Sequence, residues 1–284
     1  MRQSTALLDE PERCVHIGDR ESDIYELFCA AQDAGTHFLV RTCVDRLAGD
    51  GTLTVSDAMQ EVKLKGIHRI EVRDDKGELD VAELEIRYAG VRVLPPIGKQ
   101  KRYPALNLVV VHACERGAPR NRKPISWKLL TDMPVSSRKE AIEKLDWYAM
   151  RWKIETFHKI LKSGCRAEDA RLRTAERLTN LIALYCIVSW RVFWITMLAR
   201  VAPQAPATIA LSEVEIQLLE KMVKDVGRPV RSKNLGSYLI KLARLGGYLA
   251  RNSDAPPGNM VIWRGLSRLA DIQLGAAIAA ENYG

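Results

Sequence analysis

The spacing of hydrophobic and polar positions changes along the chain, and the amino-terminal part starts with a short apolar run. Residues 13–17 form this run and predict a buried strand, residues 21–34 place apolar side chains at helical spacing, and residues 36–42 predict a second strand. A strand, a helix and a strand in this order favour a parallel pair joined by a right-handed crossover.

From about residue 52 to residue 131 the spacing becomes that of a β region. The segments 67–73, 81–87 and 106–112 alternate apolar and polar positions or run apolar with β-branched residues, and glycines and prolines separate them. Short strands divided by turn residues predict a largely antiparallel arrangement.

The chain from residue 136 onward has the apolar spacing of helices. Residues 136–140 carry serine and glutamate in the order expected of a capped helix start. A stretch rich in alanine and proline at residues 202–207 predicts a linker. We predict helices at about 138–163, 174–200, 212–225, 234–250 and 259–281.

The most apolar stretch covers residues 178–198, but Arg191 interrupts it and Asn180 and Ser189 are polar. We therefore predict a buried core helix rather than a membrane span. The first ten residues lack the apolar segment of a signal peptide. Six cysteines without a Cys-x-x-Cys pair argue against a zinc site and a disulfide framework, so we expect a cytoplasmic protein.

The net charge of the chain indicates one possible class of partner, the polyanions. The 284 residues include 43 Lys and Arg against 35 Asp and Glu, which gives a net charge of +8. A basic chain is compatible with a polyanion such as DNA, although the charge alone also suits a soluble protein with no such partner.

Four polar residues in the predicted helix 138–163 fall on one stripe. Tyr148, Arg151, Glu155 and Lys162 are spaced by three, four and seven residues, which places them within roughly 60° of one another on a helix. Apolar residues flank the stripe, so the helix is expected to be largely buried with one polar seam. A carboxylate beside Arg and Lys in such a place indicates a metal site, a phosphate site or a structural ion pair.

A second carboxylate, Asp19, follows directly on the first predicted strand. Sites in α/β folds form at the carboxyl ends of strands, so Asp19 and Glu155 could together hold Mg²⁺ or Mn²⁺ for phosphoryl transfer on a nucleic acid. Asp19 could equally be a turn residue, and Glu155 could pair with Arg151 one helical turn away. The residues alone leave both readings open.

Several segments resemble a known family in the same order. Residues 147–162 resemble the Tyr-Arg-Glu-Lys signature of DDE transposases of the IS-four and Tn-five type, a mobile-element (insertion sequence) family. Residues 15–27 resemble the segment that carries the second catalytic Asp of that family, and residues 243–247 and 263–275 are similar to its dimerisation region. The resemblance extends from about residue 13 to residue 281.

The resemblance implies an α/β fold with two parts. The first is a partial ribonuclease-H-like catalytic domain at residues 1–201, with a largely antiparallel β insertion at about 45–131 and the helix of the catalytic Glu at about 138–163. The second is an all-helical dimerisation region at residues 202–284.

The resemblance also assigns roles to individual residues. Asp19 and Glu155 would be the second and third catalytic acids and the protein ligands of two Mg²⁺ (or Mn²⁺) ions. Trp127 would stack on a base swung out of the DNA helix during hairpin formation. The phosphates at the transposon end would be contacted by Arg41, Tyr148, Arg151 and Lys162.

The first catalytic Asp of the family lies far upstream of the second, whereas only eighteen residues precede Asp19. We therefore expect an amino-terminally truncated chain that lacks the DNA-binding domain and is inactive alone. Two functions follow from the resemblance. One is DNA cut-and-paste transposition by strand nicking, hairpin formation and strand transfer. The other is a non-catalytic dimerising regulator that inhibits full-length transposase. Both imply DNA or a homologous subunit as partner, nucleoid association when bound to DNA, and no membrane.

Overall fold

A computed structural model gives the structure of residues 1–73, 79–164, 167–224, 233–251 and 253–283. Gly77, Cys165 and the predicted helix end at residue 225 lie outside these ranges. The chain divides into two compact units, Met1–Arg151 and Trp152–Gly284, which are described separately.

The first unit is a mixed α/β structure with a single large sheet. Its helices are α1 (Arg2–Leu8), α2 (Tyr25–Asp33), α3 (Val55–Gln60) and α4 (Arg138–Ala149). Its strands are β1 (Val15–Gly18), β2 (His37–Arg41), β3 (Leu47–Ala48), β4 (Leu53–Thr54), β5 (Gly66–Arg73), β6 (Leu79–Val93), β7 (Leu106–Glu115) and β8 (Ser126–Thr131).

The sheet has the order β1-β2-β8-β7-β6-β3-β4, and β5 pairs with β6. The β1–β2 pair is parallel and the other pairings are antiparallel, which confirms both arrangements predicted from the sequence. Because β8 pairs with both β2 and β7, the antiparallel region continues the sheet of the parallel pair.

Successive side chains along each strand point to opposite faces of the sheet, and both faces are buried. On one face Val40, Val110 and Leu130 pack beneath α2 and α3. On the other face Leu39 and Leu129 pack against α4, in a cluster that includes Tyr148. The carboxyl end of α4, which carries Tyr148, therefore lies on the same face of the sheet as Leu39 of β2.

The predicted helix 138–163 is interrupted, so the prediction of one continuous helix was wrong. Helix α4 starts at a capping box on Ser137, as the sequence predicted, but ends at Ala149, and α5 begins at Trp152. The interruption arises because the N–H of Arg151 donates to the carbonyl of Tyr148, three residues back, at 3.0 Å. Arg151 therefore lies in a turn, and the four polar residues do not share one helical stripe.

The second unit is helical. Its α-helices are α5 (Trp152–Ser163), α6 (Ala175–Val201), α7 (Glu213–Met222), α8 (Leu235–Leu245) and α9 (Asn259–Tyr283). Helices α8 and α9 cross closely at Gly246 and Gly265. A Cβ on Gly265 would lie 2.0 Å from the carbonyl oxygen of Leu242, and one on Gly246 would lie 1.9 Å from that of Val261. Side chains from α5 to α9 form one apolar cluster.

The two compact units divide at residue 151, whereas the sequence suggested a boundary near residue 201. The physical reason is that Val192 and Ile195 of α6 are buried in the apolar cluster of α7, α8 and α9. The catalytic and dimerisation roles assigned to residues 1–201 and 202–284 stay predictions.

Helix α6 is buried on one side only, which corrects the prediction of a buried core helix. Its length and the mean hydropathy of 1.8 in its most apolar 18-residue window would suffice to cross a membrane, yet only 28% of that window is buried. Trp190 and Trp194 are 54% and 44% exposed, while Val192 is fully buried. Arg191 pairs with Glu215 at 2.6 Å, so the interrupting charge is neutralised by α7.

Candidate active site

Asp19 lies in the turn that follows β1, on the side of the sheet that α4 covers. Its carboxylate accepts a hydrogen bond from the backbone N–H of Arg20 at 2.8 Å and caps the short helical turn Arg20–Ser22. Gly18 makes this turn possible because a Cβ there would lie 2.4 Å from the Cβ of Ser22. The turn role considered for Asp19 is therefore real, and it leaves the side chain 38% exposed.

Tyr148 and Arg151 meet Asp19 from the end of α4. The hydroxyl of Tyr148 donates to Oδ1 of Asp19 at 3.0 Å, and Nη2 of Arg151 lies 3.3 Å from Oδ2. The guanidinium of Arg151 also lies 5.9 Å from the centre of the Tyr148 ring. The turn at Arg151 thus brings two of the predicted DNA-binding residues to the predicted catalytic acid.

Arg41, at the end of β2, completes this group. Its Nη2 donates to the carbonyl of Ser126 at 2.9 Å, and its positive charge acts on both Asp19 and Tyr148. We call Asp19, Arg41, Tyr148 and Arg151 the Asp19 cluster. It combines one carboxylate, one phenol and two guanidinium groups; Tyr148 is buried, and the other three residues are partly exposed.

The electrostatics of the cluster favour an ionised Asp19. Partial burial would raise the pKa of its carboxyl group, but the Arg20 N–H, the Tyr148 hydroxyl and the charges of Arg151 and Arg41 together lower the pKa below its usual value. Burial raises the pKa of Tyr148; Arg41 opposes this effect and Asp19 adds to it. At neutral pH the site therefore holds a carboxylate beside a neutral phenol and two cations.

Trp127 lies next to the cluster and is half-buried. Its ring meets that of Tyr148 edge-on, with centroids 5.2 Å apart and an angle of 71° between the planes. This contact supports the position of the phenol. Stacking on an extruded base, the role implied by the resemblance, stays a prediction.

Glu155 and Lys162 belong to α5 in the second unit. Both residues are exposed, and Nζ of Lys162 lies 2.8 Å from Oε1 of Glu168. That bond is the largest of the effects that raise the pKa of Lys162. Of the seven predicted site residues, the structure brings five together in the first unit and places these two in the second.

The donor chemistry of Asp19 fits a divalent metal ion. Mg²⁺ takes hard oxygen ligands and is commonly held by one or two carboxylates together with substrate phosphates. Asp19 offers one ionised, partly exposed carboxylate at a strand end. Within the part of the chain that the structure describes, no group of three or more His, Cys, Asp or Glu side chains is placed to hold a metal ion.

The sequence matches the family described as "Transposase DDE domain" over residues 2–191. The chain belongs to this transposase family. The match includes all seven predicted site residues, from Asp19 to Lys162. Members of the family generally use divalent metal ions and act on DNA at transposon ends, so membership supports a function in transposition.

One residue of the site region had no assigned role in the sequence reasoning. Asp23 is fully buried, and its Oδ2 accepts from the backbone N–H groups of Cys43 and Val44 at 2.8 Å. Its Oδ1 pairs with Arg46 at 2.5 Å. This network ties the turn after β1 to the loop after β2, and thereby supports Asp19 and Arg41. Its signal in the sequence was the second Asp of the Gly-Asp-Arg-Glu-Ser-Asp segment, four residues after Asp19.

Proposed function

We propose that the chain carries part of the active site of a cut-and-paste DNA transposase of the IS-four and Tn-five type. The observation that carries the proposal is the Asp19 cluster, in which a strand-end carboxylate is held by Tyr148 and Arg151 of the signature. The family match over residues 2–191 supports the same reading. The ribonuclease-H-like character of the catalytic fold is part of the proposal.

In this function the side chains of the cluster divide the work between positioning and charge. Arg41 and Arg151 bind non-bridging oxygens of the DNA backbone, which arginine does through paired N–H donors. Tyr148 holds Asp19 in one orientation by donating its single hydroxyl proton, and donation to a phosphate would take the place of this bond. The phosphate contact of Lys162 and the stacking of an extruded base on Trp127, both implied by the resemblance, are part of the same proposal.

Asp19 and Glu155 would be the protein ligands of Mg²⁺ or Mn²⁺. Bound metal ions would supply charge stabilisation for the attacking and leaving oxygens of the phosphodiester. The low pKa of Asp19 keeps it available as an anionic ligand at neutral pH.

The test is strand nicking of duplex DNA that carries the ends of the element encoding this chain. Asp19→Asn and Glu155→Gln should each abolish nicking in Mg²⁺ or Mn²⁺ while DNA binding is retained. Asp9→Asn is the matched control, because Asp9 lies in the same unit and forms the end of α1. Nicking that is unchanged in Asp19→Asn would refute the assignment of this acid.

A second candidate function is a non-catalytic regulator that dimerises through residues 202–284 and inhibits an intact transposase. Two observations favour it: the described residues contain no cluster of three acids, and α6, which packs in the same apolar cluster as the helices of residues 202–284, exposes a broad apolar side. The discriminating assay adds the chain to an active homologous transposase. Inhibition without nicking by the chain alone supports the regulator, and nicking by the chain alone supports the enzyme.

A further inference from the structure

The second unit contains a cavity between three of its helices. The cavity has a volume of about 790 Å³, within the range of roughly 300–1,000 Å³ that is typical of ligand pockets. It is bounded by the end of α5, by the middle of α6 and by the first half of α9, so its lining belongs to one compact unit. We call it the α5–α6–α9 cavity.

The walls of the α5–α6–α9 cavity are mainly apolar. Leu266 is nearly buried, whereas Ile187, Val188 and Met260 are 66%, 42% and 37% exposed. Apolar side chains that are grouped in this way, unlike single apolar residues scattered over a surface, mark ligand grooves or interaction sites. A ligand would remove their surface from water, which favours binding of an apolar body.

Trp263 gives the cavity an aromatic wall that is held in place. A Cβ on Gly164 would lie 3.2 Å from Cδ1 of the Trp263 ring and 2.8 Å from the carbonyl oxygen of Ile160, so glycine allows the end of α5 to approach the ring closely. Trp263 also packs against the apolar cluster of α5 to α9. The wall is therefore formed before a ligand binds, which lowers the entropy cost of binding.

Two arginines line the cavity, and they differ in their partners. Nη2 of Arg191 lies 2.6 Å from both carboxylate oxygens of Glu215, so the charge of Arg191 is matched. Arg264 of α9 is exposed and has no ion pair with any residue in the described ranges. No acid stands three or four positions from Arg264 on its own helix. Because the described lining contains no carboxylate, one positive charge remains unmatched beside the apolar walls.

We propose that the α5–α6–α9 cavity binds a small amphipathic anion, whose apolar body contacts the apolar walls and whose carboxylate pairs with Arg264. Arginine holds a carboxylate through two parallel N–H donors. The hydroxyl groups of Ser163 and Ser267 are further donors in the lining. The site lies in the second unit and does not depend on the chemistry proposed for the Asp19 cluster.

The first experiment titrates the intact chain with decanoate and with decanol by calorimetry, below the concentrations at which they aggregate. The two probes share an apolar chain and differ in the head group. We expect one decanoate to bind per chain. Arg264→Gln should weaken decanoate binding by about fivefold, the size of an ion pair open to solvent, and should leave decanol binding unchanged. Arg200→Gln, the same charge change at an exposed position at the end of α6, should bind both probes as the unmodified chain does.

The second experiment fills the cavity with a side chain. Ala270 of α9 is exposed and lines the cavity, so Ala270→Trp should weaken binding of both probes without lowering the melting temperature. Ala276→Trp places the same group at an exposed position of α9 outside the lining and should keep binding. Replacing Trp190 and Trp194 by Gln should also keep binding, which distinguishes the cavity from the open side of α6.

A third measurement uses the unmodified chain and needs no variant to fold. Met260 lines the cavity, whereas Met222 of α7 is 53% exposed and does not line it. We expect decanoate to shift the methyl signal of Met260 in NMR spectra and to leave that of Met222 unchanged. The proposal is overturned by an unshifted Met260 signal, by equal binding in Ala270→Trp and Ala276→Trp, or by unchanged decanoate binding in Arg264→Gln.

Discussion

The hydroxyl of Tyr148 donates a hydrogen bond to Oδ1 of Asp19 at 3.0 Å across 129 residues of sequence. This bond joins the turn after the first strand to the end of α4. Arg41 and Arg151 place positive charge beside the same carboxylate, which links the four members of the Asp19 cluster. The cluster therefore depends on the tertiary packing of α4 against the sheet.

Replacement of Tyr148 by Phe removes this connection but keeps the ring against Trp127. We expect the pKa of the Asp19 carboxyl to rise, because one of the donors that stabilise its anion is lost. NMR titration of the Asp19 carboxyl carbon measures the change. Tyr88→Phe is the control, since Tyr88 packs on the same face of the sheet within the same unit; an equal pKa of Asp19 in both variants would contradict the account.

The buried pair of Asp23 and Arg46 should dominate the acid sensitivity of the first unit. Burial would raise the pKa of Asp23, but the Val44 N–H, Arg46 and the Cys43 N–H outweigh it and lower the pKa below its usual value. The pair therefore contributes stability that is present above the carboxyl pKa of the unfolded chain, about 3.9, and is lost as pH falls through the lower folded value.

Asp23→Asn leaves the guanidinium of Arg46 buried without its counter-charge. We expect a loss of roughly 3–5 kcal/mol in the free energy of unfolding at neutral pH, and a weaker dependence of stability on acid pH. Denaturant unfolding at several pH values tests both effects. Asp33→Asn, at an exposed position at the end of α2, should change stability by less than about 0.5 kcal/mol, and a similar loss in the two variants would refute the role of the pair.

The two sides of α6 should respond differently to substitution. Phe193 is 7% exposed and packs in the helical cluster, so Phe193→Ala should destabilise the second unit by roughly 3–5 kcal/mol. Trp190 and Trp194 stack on the open side, with ring centroids 6.1 Å apart. Replacing both by Gln should reduce binding of an apolar dye without lowering the melting temperature. A large fall in melting temperature for the double variant would show that this side is buried.

The crossing of α8 and α9 gives a prediction with a control on the same helix. Gly265→Ala places a methyl group against the backbone of Leu242 and should cost about 1–3 kcal/mol. Gly275→Ala meets no atom within 4 Å and should be neutral or stabilising by up to about 1 kcal/mol, because alanine favours helices. Thermal unfolding distinguishes the two. Equal effects would mean that the helices do not cross at Gly265.

Local sequence patterns predicted a helix or strand well where the residues of that element are enough to determine it. The parallel pair β1 and β2, the antiparallel strands and the capping box at Ser137 all follow from the spacing of apolar residues or from one side chain near its own backbone. Such features need no information about distant residues.

The break between α4 and α5 could not be predicted in this way. Met150 and Arg151 are neither glycine nor proline, and both suit a helix by propensity. The turn is accompanied by the ion pair between Arg151 and Asp19, which exists only in the folded unit. Arg87, His112 and Lys128 could not be grouped from the sequence for a similar reason, because they become neighbours only through strand register.

The central claim is that the Asp19 cluster binds the phosphate backbone at the transposon end, and the salt dependence of binding to end DNA tests it most directly. We predict that Arg41→Gln and Arg151→Gln each lower the slope of log K against log salt by roughly 1, while Lys159→Gln, at an exposed position of α5, changes it less. Slopes for Arg41→Gln and Arg151→Gln that equal those of the unmodified chain would contradict the claim.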